Sequence, residues 1–398
     1  MNHTSSDSAV ASDHCCAIRS PTPPDGLLSR RPAPSFRKGL TVWSHTQGVY
    51  PDRSAIAEML GMPEDQVRVV HVEGSGCYGH NNADDASADA ALLAAAMPGT
   101  PIQVIWTRED DMRAGRYRPA YVHQLKAGLD AAGNIVGWYN HIVGQSIVAG
   151  TPFAAGLVLM GVDVTSVEGA AKLPYSFPSM RVELTTTQVG VPVLWWRAVG
   201  STHTAYAVEA FLDELEHAAG KDPVEYRRTL LKDHPRHLAA LNLAAEKAGW
   251  SSPSPEGRGR GIAVHESFGS YVAQVAEVSV EDGQIRVHRV VCAIDCGVAV
   301  NPLMIAAQME SGIVYGLGAA LFGRIRFKDG RVQESNFHDY RVLRLDQMPV
   351  VETHVVPSTE RPGGVGEPGT PPIAPAVANA LFALTGQRLR ELPLRLGA

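Results

Sequence analysis

The chain has 398 residues, 45% of them hydrophobic and 19% charged, with a formal net charge of −6 and a pI near 6.2. That length leaves room for two or three domains with cores of their own. The acidic balance, without a basic stripe, argues against nucleic acid as the main partner, and no apolar run approaches the ~20 residues that span a bilayer. Residues 1–39 are rich in Ser, Pro and Arg, carry vicinal Cys15-Cys16 and show little apolar periodicity; they are read as a disordered leader. Arg30-Arg31 is followed by Pro32, Pro34 and Arg37 rather than an apolar stretch, so no export signal is visible and the compartment is left unassigned.

From residue 40 onward the pattern is mixed α/β. Val67 to Val72 reads as a strand leading into a glycine-rich turn, and the Ala- and Leu-rich stretch from Asp84 to Met97, with acids in its first turn, as a helix. Gln103 to Trp106 is a short strand. Gln124–Leu129 and Ile135–Tyr139 flank Asp130-Ala131-Ala132-Gly133-Asn134, a hairpin signature. Ala207, Phe211, Leu215 and Ala218 fall at helical spacing, and Glu225 to Lys247 reads as a helical pair broken near Pro235. A low-complexity linker is expected at 251–260. A hairpin about Asp282-Gly283 follows, in which Ile285-Arg286-Val287-His288 alternates as a strand with one buried face. Asn301 and Pro302 suit the cap and first position of a helix reaching about Leu321, and another hairpin turns at Lys328-Asp329-Gly330. The domain expectation is therefore a leader (1–39), a first region (40–250), the linker (251–260) and a second region (261–398).

Of the five cysteines, Cys292 and Cys296 lie four apart on one strand face and read as buried thiols. No CxxC pair or run of four ligating cysteines occurs, so the chain is not expected to hold an iron–sulfur cluster or zinc. Two stretches invite a chemical reading. Gly74-Ser75-Gly76-Cys77-Tyr78-Gly79-His80-Asn81, between a strand and a helix, can cradle an anion with backbone N–H groups, although it matches neither the dinucleotide fingerprint nor the P-loop. Gly363-Gly364-Val365-Gly366-Glu367-Pro368-Gly369-Thr370-Pro371-Pro372 sets one carboxylate among glycines and prolines, ahead of an apolar helical stretch, 375–384. Such a loop can hold Glu367 in place, or it can be a surface turn that carries an acid.

Together with Thr46-Gln47, Trp195-Trp196-Arg197-Ala198-Val199-Gly200, the stretch from Gly261 to Tyr271, and Asp295-Cys296-Gly297 through Asn301-Pro302, these segments resemble the molybdenum hydroxylases, the xanthine dehydrogenase and aldehyde oxidase family. Within it they are most similar to the large, molybdopterin-binding (beta) subunits of isoquinoline 1-oxidoreductase type. The likeness runs from about Leu40 to the end and keeps the family's order. It implies a multi-domain α/β molybdopterin-binding fold, here without the N-terminal part that precedes Gln47 in the family. It also implies insertion of oxygen from water at an electron-poor carbon of an N-heterocycle or aldehyde.

By the same resemblance Glu367 is the base and Arg197 lines the substrate side, where a guanidinium offsets developing negative charge. Gln47, Gly76, Cys77, Tyr78, Gly79 and Gly366 are implied to contact a molybdenum–molybdopterin cofactor, in its cytosine dinucleotide form, with no side-chain ligand on the metal. A small 2Fe–2S subunit would carry the electrons, and a separately encoded N-terminal half is a further implied partner. The alternative is a non-catalytic remnant or binding subunit. Away from the resemblance, Gln47 reads as a polar residue ahead of a helix, Arg197 as a cation stacked on Trp196, His265 as a satisfied packing residue, and Asn301 as a helix cap.

Overall fold

The computed structural model describes residues 3–4, 14–19, 39–74, 76–79 and 85–397. They fall into two compact units, one of Ala9–Arg116 with Phe327–Asp339, the other of Met1–Ser8, Tyr117–Arg326 and Tyr340–Ala398.

In the smaller unit, strands β1 (His14–Arg19), β2 (Leu40–Ser44), β3 (Val67–His71) and β4 (Ile102–Trp106) form a sheet in the order β3-β2-β1-β4. β2 and β3 run parallel, joined by helix α1 (Val49–Leu60), because a parallel pair needs a crossover rather than a tight turn. Alternation along β2 turns Leu40 and Val42 inward, where they meet Ile56, Ala57 and Leu60 of α1 and Ala90, Ala91 and Ala94 of α2 (Asp85–Ala96). Helix α3 (Arg108–Ala114) opens with a capping box between Thr107 and Asp110. Most of the expected disordered leader lies outside the described residues. Its described parts, His3–Thr4 and β1, are strands, and β1 fills the space between β2 and β4. Composition gave no sign of it, since the partners it pairs with are distant in sequence.

Among the described residues the larger unit holds two four-stranded sheets. In the first, β5 (Tyr121–Leu129) and β6 (Ile135–Gln145) form the expected hairpin, and β7 (Met180–Thr187) adds in parallel to β6. The Asp130 carboxylate accepts the Ala132 and Asn134 N–H groups and shapes that turn. In the second, β8 (Gly259–Ser267), β9 (Ser270–Glu281) and β10 (Gln284–Asp295) are antiparallel, and β11 (Val350–Val355) joins β10 in parallel.

This second sheet is buried on both faces. Ile262, Val264, Ala273, Val275, Val291 and Ala293 face a layer built from α4 (Ser201–Ala218), α5 (Pro223–Leu230) and α6 (Pro235–Lys247). Ala263, Val272, Val278, Val290, Cys292 and Ile294 face α7 (Pro302–Leu321) and α8 (Ile373–Thr385). Each valine or isoleucine so buried contributes roughly 1.5–3 kcal/mol. The alternation read at Ile285–His288 therefore gives way to continuous burial from Val290 onward. Cys292 and Cys296 are free, buried on one face as expected, and burial pushes the Cys292 thiol up to about 12.

The segment 251–260, expected as a linker, runs inside the larger unit; the division between units falls near Arg116 instead. The Arg260 guanidinium donates to the carbonyls of Ala248 (3.1 Å) and Gly249 (2.7 Å), tying the segment to the end of α6. Polar, Pro-rich composition looks the same in a linker and in a loop pinned this way. Among the described residues no helix is long and apolar enough to cross a membrane.

Candidate active site

The Glu367 loop lies in the larger unit, held at its start by backbone and at its end by a side chain. Gly363 N–H donates to the Cys296 carbonyl and Gly364 N–H to that of Phe268, each at 2.8 Å. Gln274 Nε2 donates to the Gly369 carbonyl at 2.8 Å. A Cβ on Gly363 would sit 2.4 Å from the Gly269 carbonyl oxygen, so the close approach requires glycine there. The glycine-rich face of α7 meets this loop too: Gly312 packs on Gly369 and Gly316 on Thr370. Asn301 caps α7, its Oδ1 accepting the Met304 N–H at 3.2 Å, in line with the capping reading.

Arg197 reaches the loop from the turn just ahead of α4, 169 residues away in sequence. It is buried, and its Nε donates to the Gly366 carbonyl at 2.8 Å, its Nη1 to Ser311 Oγ at 2.9 Å and its Nη2 to Gln308 Oε1 at 3.3 Å. A guanidinium fork suits this convergence of acceptors, where a lysine would not. Ala198 (φ 73°) and Val199 (φ 51°) follow in the left-handed region, a costly place for a β-branched residue and one where strain gathers at functional sites. The turn points the Ala198 N–H at Glu367 Oε1, 2.9 Å away. Burial raises the Glu367 carboxyl above its ordinary range, while the Ala198 N–H and the Arg197 charge pull it back down.

A second acid completes this turn. The Gly200 N–H donates to the Glu168 carboxylate, and burial, with the negative charge of Glu367 adding to it, pushes Glu168 up to about 7. Gly200 is obligatory, since a Cβ there would stand 2.0 Å from the Thr165 carbonyl oxygen. Sequence reasoning missed Glu168, and no local pattern marks it; only the fold brings it beside Glu367. His265, expected as a satisfied packing residue, is buried, but its Nε2 has no hydrogen-bond partner.

The remaining expected site residues belong to the smaller unit. Gln47 is exposed just ahead of α1, and the buried Thr46 accepts the Gly48 N–H at 3.0 Å. Gly76 (φ 132°), Tyr78 (φ 52°) and Gly79 (φ 108°) have left-handed backbone, with the half-buried Cys77 among them. The Tyr78 ring lies over Gly76, where a Cβ would meet it at 3.1 Å. His80 and Asn81 lie outside the described residues. The structure thus brings Arg197, Gly366 and Glu367 together in one unit and places Gln47 and Gly76–Gly79 in the other.

The residues around Glu367 fit a bulky cofactor. Its Oε1 is held by Ala198, while among the described residues no hydrogen bond reaches Oε2. A Cβ on Gly366 would find only Gln308 Oε1 within 4 Å, at 3.8 Å. An uncommitted carboxylate oxygen beside open glycine backbone leaves room for a large group and for a proton to be taken.

Comparison with known proteins agrees with this. Residues 33–231 and 183–349 each match a molybdopterin cofactor-binding domain. The chain is 32% identical over 380 residues to a subunit of nicotinate dehydrogenase from Pseudomonas putida, covering 89% of this chain and 32% of that one. It is 31% identical over 359 residues to the beta subunit of isoquinoline 1-oxidoreductase from Brevundimonas diminuta, covering 89% and 46%. The chain thus spans less than half the length of either relative. In fold it is similar to quinoline 2-oxidoreductase from Pseudomonas putida 86, with a TM-score of 0.83 at 13% identity over 99% of this chain and 74% of that one. The domain matches and the relatives together show that this chain belongs to the molybdopterin cofactor-binding family, among the large subunits of the molybdenum hydroxylases.

Proposed function

We propose that this chain is the molybdopterin-binding part of a hydroxylase that inserts oxygen from water at an electron-poor carbon of an N-heterocycle or an aldehyde, with Glu367 as the base. The observation that carries this reading is the state of Glu367: partly buried, fixed through Oε1 by the Ala198 N–H at 2.9 Å, and open at Oε2. The molybdenum–pterin group supplies the redox chemistry and activation of water when bound. Glu367 Oε2 takes the proton that the attacking water must lose. Burial makes this carboxylate more basic, while the Ala198 N–H and the Arg197 charge hold it down.

Arg197 commits its donors to Gly366, Ser311 and Gln308. In this reading it positions the loop, and its charge offsets negative charge developing on the substrate. Gln47, Gly76, Cys77, Tyr78, Gly79 and Gly366 contact the cofactor, in the cytosine dinucleotide form, and no side chain ligates the metal. Electrons leave to a 2Fe–2S partner subunit. The relatives' names, nicotinate and isoquinoline among them, support an N-heterocycle.

The test is molybdenum and cytosine nucleotide per chain, on protein made in a cofactor-producing host with the iron–sulfur subunit co-expressed. Near-stoichiometric metal is expected, and Glu367→Gln is expected to keep the metal while losing about 10²–10⁴-fold in dye reduction. A Gln variant as active as the parent refutes the role of Glu367. Folded, metal-free protein supports the alternative, a non-catalytic remnant or binding subunit.

A further inference from the structure

The larger unit carries a pocket of about 400 Å³ that is open to solvent on one side. Its walls are apolar at Leu173, Val208 and Val264, and among its polar residues are Glu168, His265 and Ser267, with Lys172, Glu209 and Glu266 also on the lining. Two of the polar groups are unmet: His265 Nε2 and Ser267 Oγ are shielded from solvent and have no hydrogen-bond partner. Their residues are only 7% and 8% exposed. Gly169 makes the room for His265, since a Cβ at 169 would stand 2.4 Å from the ring's Cε1. Burial lowers the His265 imidazole to about 4, so at neutral pH it is an uncharged hydrogen-bonding group.

Buried donors and acceptors without partners are rare in folded proteins and call for water or a ligand. A further polar group, Glu168, connects this cavity to the base. Its carboxylate is fixed by the Gly200 N–H and feels the charge of Glu367. One turn, Ala198 to Gly200, therefore aims one N–H at each of two acids. Neighbouring carboxylates in such a setting divide their labour, one ionised and one holding a proton.

We propose that this cavity holds the ring of a neutral aromatic N-heterocycle, with the Glu168 carboxylic acid donating a hydrogen bond to the ring nitrogen while His265 and Ser267 meet a polar edge of the ring or its bound water. The proposal rests on Glu367 being the base of the same site. A hydrogen bond at the ring nitrogen draws electron density from the adjacent carbon, the one open to attack by a water-derived nucleophile. No proton is transferred in binding. The rise of Glu168 to about 7 supports the donor role, since near neutral pH a share of the molecules hold the proton. A small aliphatic aldehyde would leave the apolar walls unfilled.

The test uses the full chain in equilibrium dialysis against isoquinoline and naphthalene, bicycles of one shape that differ by a ring nitrogen. Isoquinoline is expected to bind about tenfold more tightly, the scale of one added hydrogen bond. Glu168→Gln, whose amide still donates, keeps that preference; Glu168→Leu brings the two ligands within about twofold. Equal binding of the two by the parent chain, binding of neither, or a preference that survives Glu168→Leu overturns the proposal. A preference lost equally in the Gln variant overturns the donor role. If the Leu variant does not fold, as judged by circular dichroism, the parent and the Gln variant still decide. Dialysis needs no metal, so a failure here leaves Glu367 to its own test, and metal-free protein with the expected preference counts against the hydroxylase reading alone.

Discussion

Arg227 offers the sharpest test of how the wall of this cavity is held. It is fully buried, donates to Glu209 Oε2 at 3.1 Å and Glu216 Oε2 at 2.6 Å, and reaches the Pro223 carbonyl at 3.2 Å. Both carboxylates are themselves 1% exposed. Arg227→Met keeps most of the stem's volume and strands the two charges. Breaking a buried pair this way costs about 3–5 kcal/mol, mostly from the uncompensated charge left behind. Glu209 retains the Tyr175 hydroxyl and the Val264 N–H at 2.9 Å, whereas Glu216 Oε1 has no partner even with Arg227 present.

The larger share of the loss therefore falls on Glu216, and adding Glu216→Gln to Arg227→Met is expected to recover about half of it. Urea unfolding followed by circular dichroism measures both variants. The pH dependence has a definite sign. A stranded carboxylate has a folded pKa above its unfolded one, so its folded form keeps a proton that the unfolded chain has released. The stability of Arg227→Met relative to the parent then recovers as pH falls and is lost as pH rises. A loss below about 1 kcal/mol, or the same loss at acid and alkaline pH, refutes the reasoning.

Three further outcomes are expected. Arg197→Met removes the charge that holds the Glu367 carboxyl down, so the acid limb of the dye-reduction profile moves to higher pH; an unmoved limb would show that Arg197 does not tune the base. Gly261→Ala places a Cβ 2.2 Å from the Ala380 nitrogen and 2.4 Å from the Ala376 carbonyl oxygen, both backbone atoms of α8. Strand and helix must part at a cost of about 1–3 kcal/mol, and an unchanged urea midpoint would contradict the contact. His123 and His265 are held near 4 by burial against an ordinary value of 6.5. Between those values the unfolded chain binds protons that the folded chain refuses. Stability is therefore present above about 6.5 and lost as pH falls toward 4. His265→Gln should flatten that slope, and a parent curve that is level across the window would refute it.

What the sequence determined by itself was whatever a few neighbouring residues decide. Asn301 and Pro302 start α7 because a capping side chain and a preset φ act within one turn. Gly133, Gly283 and Gly330 mark hairpins because each turn needs a left-handed residue. The Glu367 loop announced itself through its density of Gly and Pro, and its resemblance to a family named the chemistry. Tertiary structure alone decided the rest. Strands β7 and β11 carry no periodic mark of their own and join their sheets in parallel to β6 and β10. The split near Arg116 and the inclusion of 251–260 in the larger unit depend on which faces pack, and composition does not record that. Arg197 meets Gly366 across 169 residues, and Glu168 joins His265 and Ser267 of β8 at one cavity from a distant segment. Propensity and capping act over a turn of chain, whereas burial, ion pairing and the placement of an acid beside a base depend on neighbours that only the folded core brings together.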